Sequence, residues 1–192
     1  MSPWLWVKQQ FSRICKYSLP SNRIAELLEL SRRTALLLVP VLVTIHNAEE
    51  ALFMPAALRS LPGRVPAEFA GMIPSYPRFL VALGIVTAMA WAIWLFGRTH
   101  RIGVVLLLLL QTVMLVNVVS HVGAAILLRG YAPGLATALA LNLPFSIHLL
   151  RCAVSEGWIA RRTLPLLGIG AVLVHGPGIL GMMWIAGRIS GS

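Results

Sequence analysis

His46-Asn47-Ala48-Glu49-Glu50 is where side chains able to do chemistry are most concentrated in this chain. It holds an imidazole and two carboxylates, two of only six acids in 192 residues. On an α-helix, position 50 lies about 40° around from position 46, and position 49 about 60° the other way. The three ionisable groups therefore share a face, with Asn47 about 100° off it. Asn117 and His121 are four apart and share a face of a later segment. Asn142 and Ser146 repeat that spacing beside Pro144, and His175 precedes Gly176-Pro177. His100 and His148 fall nearer the other ends of their segments and are set aside.

Three chemistries are open to such a cluster. Imidazole and carboxylate suit Zn, Mn or non-haem Fe, and His46, Glu49, Glu50 and His121 supply enough ligands for one metal. Two adjacent buried carboxylates facing a histidine can instead exchange protons with a substrate, with no metal. The third use is structural: His and Glu satisfy one another and fix helix packing. The pattern differs from the H-E-x-x-H and H-x-x-E-H metal motifs because Glu50 stands at its end. It also lacks the many paired histidines of membrane di-iron desaturases and hydroxylases.

The elements that must position these groups are apolar. Hydrophobic residues make up 58% of the chain and charged residues 11%, less than half of the roughly 25% that covers a soluble domain. That balance excludes an ordinary soluble globule, a disordered chain and a disulfide-rich scaffold. The two cysteines, Cys15 and Cys152, form no C-x-x-C pair. Five segments approach or exceed the ~20 residues a membrane crossing takes: about 34–54, 79–97, 102–128, 134–150 and 164–187. The fold expected is all-α, a five-span transmembrane bundle over 34–187 preceded by an N-terminal segment over 1–33. In that segment Trp4, Val7, Phe11, Ile14 and Cys15 recur at helical spacing opposite Lys8, Arg13 and Lys16, which predicts an amphipathic helix in the membrane interface. The segment lacks the apolar region and cleavage site of a signal peptide. The loop from Ala57 to Arg78 holds four prolines, and Pro66-Ala67-Glu68 within it reads as the start of a short helix.

Lys and Arg number 16, for a net charge of +10. Placed against the five spans, eleven of them fall on one side and five on the other. The positive-inside rule then predicts a cell (inner) membrane protein with a cytoplasmic N-terminus and an extracytoplasmic C-terminus. The basic excess is thus topological, and no nucleic-acid partner is expected. Counting ~1.5 Å per residue puts the polar groups in the middle or outer half of the bilayer. An ionisable group there costs on the order of 3 kcal/mol, so it should face a protein or water-filled interior.

His46-x-x-Glu49-Glu50, Asn117-x-x-x-His121 and Tyr131-Ala132-Pro133-Gly134 occur in that order. Together they resemble the HXXEE-motif family of small bacterial integral membrane proteins, over about residues 36–135. Val118 stands where a small residue is associated with that family. The family has no assigned activity, so the resemblance implies a shared site and names no reaction. Tyr131 reads either as a hydroxyl over the mouth of the site or as an interfacial tyrosine in a tight turn.

The leading expectation is an enzyme acting on a lipid-like or isoprenoid-like molecule that enters laterally. His46, Glu49, Glu50 and His121 would bind the metal, with Glu49, Glu50, Asn117 and Tyr131 serving the chemistry. The alternatives are a metal-free acid–base enzyme, a transporter in which Glu49 and Glu50 carry protons or a cation, and an accessory membrane subunit. The lack of an internal repeat argues against a secondary transporter. Membrane lipids and a hydrophobic small molecule are the expected partners. The sequence leaves open whether Asn142 and His175 join the site, and carries no signal of oligomeric state.

Overall fold

The computed structural model describes residues 21–60 and 73–190, with side chains over 32–60 and 73–189. The chain forms two compact units, Met1–Thr34 and Ala35–Ser192. In the first, the described backbone is helical from Ser21 onward. The amphipathic pattern from Trp4 to Lys16 and the Pro66-Ala67-Glu68 turn lie outside the described residues.

Every regular element among the described residues is helical. We number them α1 (Ser21–Ser60), α2 (Tyr76–Gly97), α3 (Arg101–Leu127), α4 and α5. Helix α4 runs as Leu135–Thr137, a π turn Ala138–Asn142, then Leu143–Ser155. Helix α5 runs as Thr163–Leu173, a π turn Val174–Gly178, then Ile179–Ser190. Among the described residues, five stretches are long and apolar enough to cross a membrane: Arg32–Ser60, Tyr76–Gly97, Arg101–Leu127, Leu135–Ser155 and Thr163–Ile189. Half of the most apolar window of α3 is buried, against 11% for α5, so α3 is the central helix and α5 a peripheral one. Helix α3 packs against α2, α4 and α5.

The prolines explain where the helices depart from expectation. Helix α1 continues to Ser60, past the loop start expected at Ala57, with Pro40 and Pro55 inside it. A proline withholds the N–H that the carbonyl four residues earlier would accept. For Pro55 that carbonyl is Ala51, and the Tyr76 hydroxyl donates to it at 3.0 Å. The carbonyl is satisfied from α2, and the helix runs on. The π turn of α4 lies just before Pro144, and that of α5 contains Pro177. Both follow the usual adjustment of a membrane helix to proline.

The apolar core gathers Leu36, Val39 and Val43 of α1 with Leu107, Leu108 and Leu110 of α3, Leu149 of α4 and Leu167 of α5. Beyond it, α1 and α2 are tied by polar contacts. The Thr44 hydroxyl donates to the Pro40 carbonyl at 2.7 Å and accepts the Trp91 indole N–H at 3.1 Å. The Asn47 amide donates to Thr87 Oγ1 at 2.8 Å and to the Leu83 carbonyl at 3.3 Å. Asn47 thus points to α2, leaving His46 to face α3 and α4.

Candidate functional site

His46 is almost completely buried, with 1% of its surface exposed. Its ring is held at both nitrogens. Nδ1 lies 2.8 Å from Thr137 Oγ1 of α4, while Nε2 lies 2.8 Å from Asn117 Nδ2 and 3.2 Å from His121 Nε2, both on α3. With the Asn117 amide donating, Nε2 is the lone-pair nitrogen and Nδ1 carries the proton toward Thr137. Glu50 Oε1, one helical turn beyond His46, sits 3.8 Å from His46 Nε2 and 3.3 Å from His121 Nε2. The two imidazoles meet edge to face at 4.9 Å between centroids. His46, Glu50 and His121 each aim one ligand atom into a space where all three lie within 4.8 Å of one another. The His46 side chain is closed off, while those of Glu50 and His121 keep 14% and 10% of their surface exposed.

Glu49 is not a member of this group, although the sequence reading placed it among the metal ligands. Its carboxylate is turned to the start of α4, where Oε1 accepts the Ala136 N–H at 3.1 Å and Oε2 the Thr137 N–H at 2.7 Å. The Tyr131 hydroxyl donates to Oε1 in a short contact. The first turn of a helix has N–H groups without intrahelical partners and a partial positive charge, so a carboxylate belongs there. Glu49 caps α4 from α1. Tyr131 lies outside the five spans; loss of hydration first, then the carboxylate it donates to, push its phenol up to about 12. It stays a donor at any physiological pH. Its ring also meets Phe53 edge-on at 5.6 Å.

Two residues gain a place at the site that the sequence alone does not give them: Gly134, known there only as the end of a turn motif, and Thr137. Gly134, the last residue of the Tyr-x-Pro-Gly turn, has φ +87° and is the N-cap of α4. A Cβ there would fall 2.7 Å from His121 Cε1, 2.8 Å from His46 Cε1 and 2.9 Å from Glu50 Cγ. Both the left-handed backbone and the crowding restrict the position to glycine. The turn that contributes Tyr131 therefore also roofs the trio through Gly134. Thr137 is the second: it faces His46 with its hydroxyl and Glu49 with its N–H. The motif itself pointed at Gly134, whereas nothing local marks Thr137 beyond its place in a first helical turn.

The remaining candidates lie around the trio. Asn117 touches it through His46. His175 of α5 binds Ser120 Oγ at 2.8 Å, one residue before His121, and is not among the converging ligands. Asn142 is fully buried in the π turn of α4, with its side-chain amide unpaired among the described residues. Nearby, Gln111 Nε2 donates to Ser146 Oγ at 2.8 Å, and Ser146 donates to the Asn142 carbonyl at 2.6 Å. This second polar layer is apart from the trio.

Fold and site define a class: a protein whose described residues are all-helical, with five helices among them apolar enough to cross a membrane and a buried His/Glu cluster between the first and third. The family described as "Protein of unknown function with HXXEE motif" matches residues 37–149, more than half of the chain, and the protein belongs to it. That stretch contains the trio, Glu49, Asn117 and the roof turn; helix α5 with His175 lies outside it. Neither any curated protein nor any solved structure matches the chain.

Proposed function

We propose that this is a cell-membrane protein, with its N-terminus cytoplasmic and its C-terminus outside, that binds one divalent metal at His46, Glu50 and His121. The reading is that of a metal-dependent enzyme acting on a lipid-like or isoprenoid-like molecule. The observation that carries it is the convergence of three ligand atoms in a buried space. Bonds of about 2.0–2.1 Å at a tetrahedral angle separate two ligand atoms by about 3.3–3.4 Å. The separations here are 3.2, 3.3 and 3.8 Å, so a small turn of the accessible Glu50 completes the set. Two histidines and one carboxylate leave a coordination position open, as in catalytic rather than structural sites. A bound metal there would polarise a substrate oxygen or lower the pKa of a bound water.

The chain's own residues supply the rest of the reading. Thr137 accepts the Nδ1 proton of His46 and thereby presents Nε2 to the metal, the usual work of an outer partner on a ligating histidine. The Nε2 lone pair cannot serve Asn117 and a metal together, so on metal binding the Asn117 amide is released to orient the substrate. Glu49 and Tyr131 hold the roof in place and act as positioning residues. A second reading, proton exchange without metal, draws on the 3.3 Å contact between His121 and Glu50.

Metal analysis of the detergent-purified full chain separates the two. One equivalent of metal in the wild type, lost in Glu50→Ala and His121→Ala and kept in Glu49→Gln, supports the metal reading. Protein that stays metal-free after incubation with Zn, Mn and Fe overturns it. Lipid profiles of cells with and without the gene then test for the substrate class. For orientation, a periplasm-active reporter fused after Arg162 should be silent, and activity would reverse the topology.

A further inference from the structure

The opposite end of the bundle holds a second feature that the trio does not use. Between α4 and α5, close to their connecting turn, lies a cavity of about 620 Å³, within the usual range for a small-ligand pocket. Its walls are Ile147, Leu150 and Val154 of α4, spaced along one helical face, and Leu164 and Leu167 of α5. The wall from α3 is Thr112, whose hydroxyl is already spent on the Leu108 carbonyl at 2.7 Å. An apolar slot therefore runs between the two helices, and its lining is completed by Arg151 and Ser155 of α4 and by Arg161, two residues before α5 begins.

Some arginines near the helix ends are already engaged. Arg98 stacks on Trp94, Arg188 stacks on Trp184, and Arg78 donates to the Met183 carbonyl at 2.6 Å. Arg151 and Arg161 make no hydrogen bond, ion pair or ring contact among the described residues. The nearby acid, Glu156, accepts the Trp158 indole N–H at 3.1 Å and pairs with neither. Two exposed arginines without partners among the described residues thus line an apolar slot.

We propose that this slot is a binding site for one anionic phospholipid, its phosphate held between Arg151 and Arg161 and one acyl chain laid along the α4–α5 wall. Guanidinium groups match phosphate oxygens in charge and geometry, and basic pockets between membrane helices hold anionic head groups. The aliphatic wall decides between a lipid and a free anion. A soluble phosphate gains nothing from five apolar side chains, whereas an acyl chain buries against them. The site is independent of the metal reading, since it shares no residue with the trio.

Native mass spectrometry of the full chain in detergent, titrated with phosphatidylglycerol or phosphatidylcholine of matched chains, tests this. One phosphatidylglycerol is expected to be retained about 30-fold more tightly, which corresponds to about 1 kcal/mol per arginine. The preference should vanish in Arg151→Ala/Arg161→Ala. Both positions are exposed, and the variant should unfold at the wild-type temperature. Val154→Trp, which fills the slot and leaves the arginines, should abolish retention of both lipids. Equal retention of the two lipids by the wild type, or an unchanged preference in the double alanine variant, would overturn the site as ordinary surrounding lipid. Displacement of the lipid by millimolar inorganic phosphate would overturn it as a free-anion site.

Discussion

Around Leu36, Val39, Leu107 and Leu149, helices α1, α3 and α4 meet through aliphatic side chains. Further along the same three helices, around His46, Asn117, His121 and Thr137, they meet through groups that each answer another named group. In the first region many side chains of similar volume would serve, because packing between membrane helices asks for shape more than identity. In the second, the loss of one group strands its partner. Buried ionisable groups are costly at bilayer depth, and helix association does not require them. Aliphatic packing suffices to hold helices together, so the cost of the polar half agrees with the binding role proposed for it.

The largest effects should separate the two halves cleanly. Leu149→Ala removes a fully buried side chain and is expected to cost about 2–5 kcal/mol in unfolding free energy while leaving metal stoichiometry unchanged. His121→Ala should do the reverse, abolishing metal binding with a smaller loss of stability. Thermal unfolding and metal content measured on the same preparations check both. If Leu149→Ala also released the metal without unfolding, the halves would not be separable.

Gly134→Ala comes next, and it tests whether roof and trio are one unit. The added methyl meets both imidazoles and Glu50, on a backbone at φ +87°. Strain of about 1–2 kcal/mol from the left-handed conformation adds to about 1–3 kcal/mol from overpacking. Because the methyl falls against the ligands themselves, metal affinity should drop along with stability. An alanine variant that binds metal as the wild type does would place the roof elsewhere.

The aliphatic half was readable from the sequence, and the polar half was readable in its members but not in its partition. Apolar runs located the five helices that, among the described residues, are long and apolar enough to cross a membrane, since length and hydropathy are local properties. They missed the continuation of α1 through Pro55, because the group that satisfies Ala51 is the hydroxyl of Tyr76, in another helix. Spacing put His46 and Glu50 on one face and brought in Asn117 and His121. It grouped Glu49 with them because a 60° offset looks small on a helical wheel. Positions 49 and 50 are 100° apart, and the first turn of α4 claims Glu49. That N-terminus is positioned by tertiary packing, which no local pattern encodes.

Glu49→Ala sharpens this partition. It leaves the Ala136 and Thr137 N–H groups without their acceptor; Ala136 is exposed and Thr137 part-buried, so water meets part of the loss and the cost should be about 1 kcal/mol. Metal stoichiometry should survive with weakened affinity, as the second partner of His46 sits on the loosened turn. Glu50→Ala should instead lose the metal at near-wild-type stability. Identical behaviour of the two variants would return Glu49 to the ligand set.

The smallest effect is expected at Tyr131, which is half exposed and shares Glu49 with two backbone donors. Tyr131→Phe keeps the ring and its edge contact with Phe53 and removes one hydrogen bond that water can replace. The cost should be about 0.5–1.5 kcal/mol, with metal content unchanged. The pH dependence identifies its source. The phenol is raised from 10.0 to about 12, so its contribution is complete below pH 10 and is lost as the pH climbs toward about 12. The gap in unfolding temperature between wild type and Tyr131→Phe should therefore be constant from neutral pH to pH 10 and shrink above it. A gap that stayed constant above pH 10 would mean that the variant acts through packing against Phe53, and that the roof is held by Gly134 and Glu49 alone.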